Sequence, residues 1–136
     1  MDKRILVGCI VALGTMLGFD LMAQVSGWRL DLPLRTPLGT LLVGNLAITF
    51  AAMMLGGWIA QRRFRWVAVG LSAIVWIATI VATLAIAPPT AAGASMSLPG
   101  IVKFNALAIV LGLLASWLGA LIGERLAARQ RLPAST

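Results

Sequence analysis

Few residues of this sequence could do chemistry, and the most unusual of them is an acid inside an apolar segment. Asp20 lies about one helical turn before the outer end of the first hydrophobic run. Ionisable groups are costly inside a lipid bilayer, so a residue at this position is a candidate functional group. Asn45, Lys103 and Asn105 lie at a comparable depth in two other hydrophobic runs. These four residues predict a polar site in the outer half of the membrane, where Asp20 binds a cation or a proton and the Asn amides orient a partner.

A structural role is the alternative interpretation of each of these residues. An Asp one turn from the interface can reach water directly, and the long side chain of Lys103 can extend to the lipid headgroups. Hydrogen bonds of Asn between membrane helices contribute only about 0.6 to 2 kcal/mol of packing stability. Lys103 and Asn105 also point in nearly opposite directions, because two residues turn a helix by about 200°. One pocket therefore cannot easily use both, and an ion pair between Asp20 and Lys103 is a separate hypothesis.

The sequence offers no group of residues typical of catalysis or of metal binding. It contains no His and a single Cys, and its acids are Asp2, Asp20, Asp31 and Glu124. Without imidazoles, the usual ligands of haem, zinc and copper are missing. The acids and the single thiol form neither a nucleophile–base pair nor a pair of carboxylates at catalytic spacing. We therefore expect no metal, no cofactor and no enzymatic activity.

The elements that must position the polar residues are membrane-spanning helices. The 136 residues are 60% hydrophobic and only 11% charged, with a mean hydropathy of +0.98, whereas soluble domains carry about 25% charged residues. Four segments reach the length of about 20 mostly apolar residues that a spanning helix needs. They are residues 5–25, 38–60, 66–87 and 101–123. The sequence predicts an all-α fold, a single polytopic integral membrane domain built as an antiparallel four-helix bundle, followed by a basic tail over residues 124–136.

The distribution of Lys and Arg predicts the orientation of these helices. Eight of the eleven basic residues fall on the side of the two termini, and three fall on the opposite side. The eight are Lys3, Arg4, Arg62, Arg63, Arg65, Arg125, Arg129 and Arg131, against Arg29, Arg35 and Lys103. Because basic residues of short loops stay in the cytoplasm, we expect both termini there. The short loops and the Arg-biased, Ala-rich and Leu-rich composition suggest the inner membrane of a bacterium. Such scattered charges form no single basic face, so we expect no nucleic-acid partner.

The turn between the second and third segments supports two predictions. It comprises only residues 61–65, so we expect helices 2 and 3 to be antiparallel neighbours. Arg62, Arg63 and Arg65, with Trp66 beside them, are typical of an interfacial anchor in which guanidinium groups contact lipid phosphates. Specific binding of anionic lipids is an extension of this prediction.

Small residues mark the helix faces that we expect to pack closely. They are Gly14 and Gly18 on helix 1, Gly56 on helix 2, and Gly112, Ser116, Gly119 and Gly123 on helix 4. The faces of helices 2 and 4 match at a separation of 60 residues, each with an Asn near its outer end. This match suggests two repeated helical hairpins, although helices 1 and 3 do not support the idea well, since Asp20 would align with Ile80. The alternative is that any central helix of a bundle acquires such a face.

Two classes of function fit these observations. The first is a non-enzymatic helix-packing subunit or scaffold of a membrane complex or homo-oligomer. The second is a small oligomeric transporter or channel with a polar site near Asp20, Asn45 and Asn105. A conduit needs a continuous polar path, and the inner halves of the helices provide few polar residues, which favours the first class slightly. Those residues are Thr15, Ser72, Thr79 and Ser116.

Overall fold

A computed structural model describes residues 3–26, 33–36, 39–61, 63–86 and 98–130 of the chain. Its elements are α1 (Lys3–Ser26), β1 (Pro33–Thr36), β2 (Gly39–Leu42), α2 (Val43–Ala60), α3 (Phe64–Ile86) and α4 (Leu98–Arg129). Each helix contains a segment long and apolar enough to cross a membrane, with mean hydropathies from 1.6 to 2.3. The predicted four-helix membrane bundle is confirmed, and the protein is a multi-pass membrane protein.

The largest difference in element bounds is at the start of the second helix. Residues 39–42 were predicted to be helical, but they form strand β2, which pairs antiparallel with β1 so that Pro33 lies opposite Leu42 and Thr36 opposite Gly39. Gly39 and Thr40 have low helix propensity, and the β-branched side chain of Thr40 suits a strand. Helix α2 therefore begins at Val43. Helix α4 continues to Arg129, since residues 124–129 contain no helix breaker.

Three hydrogen bonds place the first residues of α1, the α2–α3 turn and the last residues of α4 at one end of the bundle. They join Arg4 Nη1 to Gln61 Oε1, Trp58 Nε1 to Gln130 Oε1, and the Arg65 backbone N–H to Glu124 Oε1. We call this the terminal end, and the end that carries β1 and β2 the distal end. Helices α1 and α3 therefore run toward the distal end, and α2 and α4 run toward the terminal end.

The neighbour relations correct one prediction. Helix α2 packs most extensively on α4 and next on α1, while α3 packs mainly on α4. Around the bundle the order is thus α1, α2, α4, α3, and α2 and α3 share few contacts although only residues 61–63 join them. The expectation that helices 2 and 3 pack as neighbours was wrong, because a tight turn brings together only the helix ends. Of the small residues of α2, Gly57 faces Ala120 of α4, while Gly56 lies against Gly8 of α1 and against Phe64 at the start of α3.

Glycines allow the closest helix contacts, and these lie in the half of the bundle next to the terminal end. A Cβ atom on Gly57 would lie 2.5 Å from the Ala120 carbonyl oxygen, and one on Gly123 would overlap the Met54 carbonyl oxygen. Between α1 and α2, a Cβ on Gly8 would lie 2.8 Å from the Gly56 carbonyl oxygen. These backbones approach one another more closely than any side chain would permit.

The buried core lies in the same half. Its largest fully buried side chains are Phe64, Met53 and Ser116. Buried positions recur at the 60-residue separation noted in the sequence, on helices α1 and α3 as well as on α2 and α4. The pairs are Gly8 and Ala68, Ala12 and Ser72, Ala52 and Gly112, Gly56 and Ser116, and Ala60 and Ala120. This recurrence is what two hairpins, α1–α2 and α3–α4, related by duplication would produce.

Candidate functional site

A cavity of about 240 Å³ lies between all four helices in the distal half of the bundle. Six polar residues line it, and every helix contributes at least one. They are Asp20 from α1, Asn45 and Thr49 from α2, Ser72 and Thr79 from α3, and Asn105 from α4. Three of the four residues of the predicted polar site, on three separate helices, thus meet at one cavity.

The position of the cavity follows from where the glycines are. The glycine contacts between α2 and α4 involve Gly57, Gly119 and Gly123, all toward the terminal end. Toward the distal end, Leu46 of α2 and Asn105 of α4 line the cavity instead. The cavity therefore lies in the half of the bundle away from these glycine contacts.

Trp76 and Gly112 form the inner limit of this space. A Cβ atom on Gly112 would lie 3.0 Å from Trp76 Nε1, so the indole of α3 reaches the backbone of α4 where α4 has no side chain. One turn further, Ser116 is fully buried and its hydroxyl donates to the Gly112 carbonyl oxygen at 2.8 Å. Met53 and Phe64 fill the core beyond it. The described residues therefore close the cavity toward the terminal end.

The rim of the cavity is polar. Asp20, Asn45 and Thr79 are exposed, and they lie within two turns of the distal ends of their helices. Thr49 and Ser72 lie deeper and are only 6% and 4% exposed. Polarity thus extends from the rim inward along α2 and α3.

The hydrogen bonds that the structure gives two of the polar lining residues stay within their own helices. Asn105 Nδ2 donates to the Ile101 carbonyl oxygen at 3.0 Å, and Thr79 Oγ1 donates to the Val75 carbonyl oxygen at 2.9 Å. Neither bond joins two helices. Among the described residues, these two bonds therefore do not tie one helix to another across the cavity.

Lys103 is the one residue of the predicted polar site that the structure places elsewhere. Its side chain is exposed, and it is not among the described residues that line the cavity. Asn105, two residues later, does line it. The opposite directions of these two positions on a helix account for the difference.

The residues predicted for helix packing fall into two groups. Gly56, Gly112, Ser116, Gly119 and Gly123 are buried between helices. On α1 the structure places both predicted glycines outward, with no heavy atom within 4 Å of an added Cβ. These two are Gly14 and Gly18. Within the described chain they pack against nothing, and it is Gly8 that brings α1 onto α2.

The predicted lipid-anchor cluster lies at the terminal end. Arg62 is outside the described residues, Arg63 is exposed, and Trp66 is 67% exposed. Arg65 is half-buried, and its Nε has no hydrogen-bond partner among the described residues. Phe64, which lies between Arg63 and Arg65 in sequence, is fully buried.

Glu124 is a structural residue that the sequence did not reveal. Its carboxylate accepts a hydrogen bond of 3.0 Å from the backbone N–H of Arg65, in the first turn of α3. The first amides of a helix lack partners within the helix and attract negative charge. Glu124, which is 59 residues away in sequence, provides this end of α3 with both a hydrogen-bond acceptor and a negative charge. A contact between residues so distant leaves no local sequence signal.

Residues of α3 in the cavity could have been found from their spacing. Ser72, Trp76 and Thr79 follow one another at four and three residues and so share one face of a helix. Together with Asp20 and the two Asn residues they provide a carboxylate, amides, hydroxyls and an aromatic ring for binding.

No protein-family model matches this chain, and neither a curated protein nor a solved structure matches it.

Proposed function

We propose that this protein binds a small polar or cationic solute in the distal cavity, as the binding unit of a small, non-enzymatic membrane transporter. The observation that carries this proposal is the convergence of Asp20, Asn45 and Asn105 on one cavity, with hydroxyls from the remaining helix. A bundle that needed only to be stable would place such groups against one another or in water, because each is costly in lipid.

The shape of the cavity favours a carrier over a permanently open channel. Solute carriers bind near the middle of the membrane and expose the site to one side at a time. The cavity is open at its distal rim, while Ser116, Met53 and Phe64 are fully buried beyond its floor. A bundle with this shape accepts a solute from one side and retains it there until the packed half moves.

The same proposal includes the membrane and the orientation. The terminal end carries Arg4, Arg63, Arg65, Arg125 and Arg129. Basic residues are enriched on the cytoplasmic side, so we place both termini in the cytoplasm of a bacterium and the cavity mouth on the outer side of its inner membrane. The exposed members of this group, with Trp66, would contact anionic lipid headgroups.

A second candidate function is that of a helix-packing subunit or scaffold in a homo-oligomer or a membrane complex. The outward position of Gly14 and Gly18 favours it, since small residues four apart on an open face permit another helix to approach closely. Cross-linking between copies carrying Gly14→Cys, in native-like lipid, would support self-association. This function is compatible with a carrier that acts as an oligomer.

Accessibility of the cavity to water tests the main proposal. In a Cys9→Ala background, Thr79→Cys should react with a membrane-impermeant cationic methanethiosulfonate added from the side opposite the termini. Ile77→Cys is the matched control, because Ile77 lies at a similar depth on α3 and is 61% exposed on its outer face. Ser116→Cys, in the closed half, should not react. Failure of Thr79→Cys to react from either side would contradict the proposal.

A further inference from the structure

The charge of the cavity limits what it can bind. Of the described residues that line it, Asp20 is the only charged one, and Lys103 is exposed elsewhere. A carboxylate next to lipid is stabilised by a nearby positive charge and repels a negative one. A solute with one positive charge neutralises the site, whereas an anion or a dication leaves a net charge within the bilayer.

The walls of the cavity distinguish an organic from an inorganic cation. Apart from the polar residues, its lining consists of apolar side chains that include Met16, Leu46, Val75 and Ala108. The oxygens of the polar lining residues can coordinate a small inorganic ion, but such an ion gains nothing from contact with the apolar walls. An alkyl or aryl body gains from contact with the same walls.

Trp76 supplies an additional attraction for a cation. Its ring approaches Gly112 through Nε1, Cε2 and Cζ2, at 3.0, 3.8 and 4.0 Å from the position of an added Cβ. The edge of the indole is therefore directed at α4, and Trp76 lines the cavity. A cation over the face of a Trp ring is attracted by the quadrupole of the ring.

The volume sets the size of the ligand. A dry cavity of about 150 Å³ holds one benzene molecule. In proportion, 240 Å³ holds about ten non-hydrogen atoms. The partly open rim allows a polar substituent to extend beyond this limit.

The geometry points to an organic monocation of about ten non-hydrogen atoms, with its charged centre beside Asp20 and its apolar body against Trp76. This inference rests on the proposed function and names its ligand class.

The test compares two molecules of nearly the same shape. Phenyltrimethylammonium has the expected size and charge, and tert-butylbenzene is its uncharged analogue. Isothermal titration calorimetry on the full chain in lipid nanodiscs should show saturable binding of the cation, without competition from the neutral analogue. An excess of sodium chloride should displace less phenyltrimethylammonium than an excess of choline chloride does at the same ionic strength.

Variants then locate the binding. Asp20→Asn preserves the shape of the side chain and should weaken binding at least tenfold. Trp76→Leu should weaken it roughly tenfold, while Trp76→Phe should weaken it less. Lys103→Gln is the matched control, because it removes a charge of the opposite sign at the same end of the bundle. It should leave the affinity for phenyltrimethylammonium unchanged. Thermal unfolding of each variant shows whether it is folded, and the competition experiment on the unmodified chain needs no variant.

Three results would overturn the inference. They are equal binding of the neutral analogue, full binding by a folded Asp20→Asn variant, and absence of cation binding while Thr79→Cys still reacts. The last result would leave the proposed function standing with a different ligand class. Absence of both binding and reactivity would reject the two proposals together.

Discussion

The two halves of the bundle are built in opposite ways. In the terminal half, Gly57, Gly119 and Gly123 bring helix backbones into contact, and polar groups such as Glu124 bond to a neighbouring helix. In the distal half the helices surround a cavity, and Asn105 donates to a carbonyl of its own helix. Close contact between helices and hydrogen bonds across them occur in one half, and open polar space in the other.

This difference shows how a small membrane protein can combine stability with a binding site. Lipid is as apolar as the helix surfaces, so cohesion comes from close packing and from hydrogen bonds between helices. Both are concentrated in the terminal half. The distal half can then keep an unfilled volume and polar side chains, which would otherwise destabilise a bundle of this size.

The largest expected effect on stability comes from replacing a glycine at the contact between α2 and α4. A methyl group on Gly123 would overlap backbone atoms of Met54 and Trp58, which cannot move without separating α2 from α4. We expect Gly123→Ala to lower the free energy of unfolding by about 3 kcal/mol, at the upper end of the cost of overpacking. Unfolding in mixed micelles with increasing SDS, followed by circular dichroism, measures this change.

Gly14→Ala is the matched control for this substitution. It adds the same methyl group to a helix, but no heavy atom lies within 4 Å of it. We expect no loss of stability, and a small gain because Ala has the higher helix propensity. Equal losses in the two variants would show that the contrast between packed and open glycines is not what stabilises the bundle.

A smaller effect is expected from the acid that caps α3. Glu124→Ala removes the carboxylate that accepts the hydrogen bond of Arg65 N–H. Hydrogen bonds to charged groups contribute about 1.5 to 3 kcal/mol, and because Glu124 is only half-buried we expect a loss of about 1.5 kcal/mol.

Glu124→Gln should lose less, because its amide oxygen still accepts the bond. Arg125→Ala removes an exposed neighbour in the same turn and should change stability little. The SDS-unfolding midpoint should be lowest for Glu124→Ala, intermediate for Glu124→Gln and nearly unchanged for Arg125→Ala. This order would establish that Glu124 caps α3. A loss in Arg125→Ala as large as that in Glu124→Ala would instead indicate a general effect of charge at this end.

The fold was predictable from the sequence because the membrane dictates it. Long apolar segments must be helical in lipid, which fixed the number of helices and their class. The order of packing was not predictable from the short turn at residues 61–63. It depends on which faces approach most closely, and this is decided by pairs such as Gly57 with Ala120 that are distant in sequence.

The candidate site was predictable in part for the same reason. Asp20, Asn45 and Asn105 stand out because polar residues are rare in these segments, and their similar depth indicated one site. The spacing of Trp76 places it on the same helix face as Ser72 and Thr79, but it does not mark Trp76 as a binding residue, since an aromatic residue in a membrane helix is ordinary. Its contribution depends on the missing side chain at Gly112, which only the packing of α3 on α4 reveals.

The smallest expected effect on stability is at Asn105, and it separates the two halves most sharply. Its amide donates to Ile101 within α4, so Asn105→Ala breaks no bond between helices that the described residues show. We expect the free energy of unfolding to change by about 0.5 kcal/mol or less, because even hydrogen bonds between membrane helices contribute only about 0.6 kcal/mol on average and this one stays within α4. The same variant alters the wall of the cavity and should weaken binding of phenyltrimethylammonium. A strongly destabilised Asn105→Ala variant would mean that the distal half also holds the bundle together, and the separation between a stabilising half and a binding half would then be wrong.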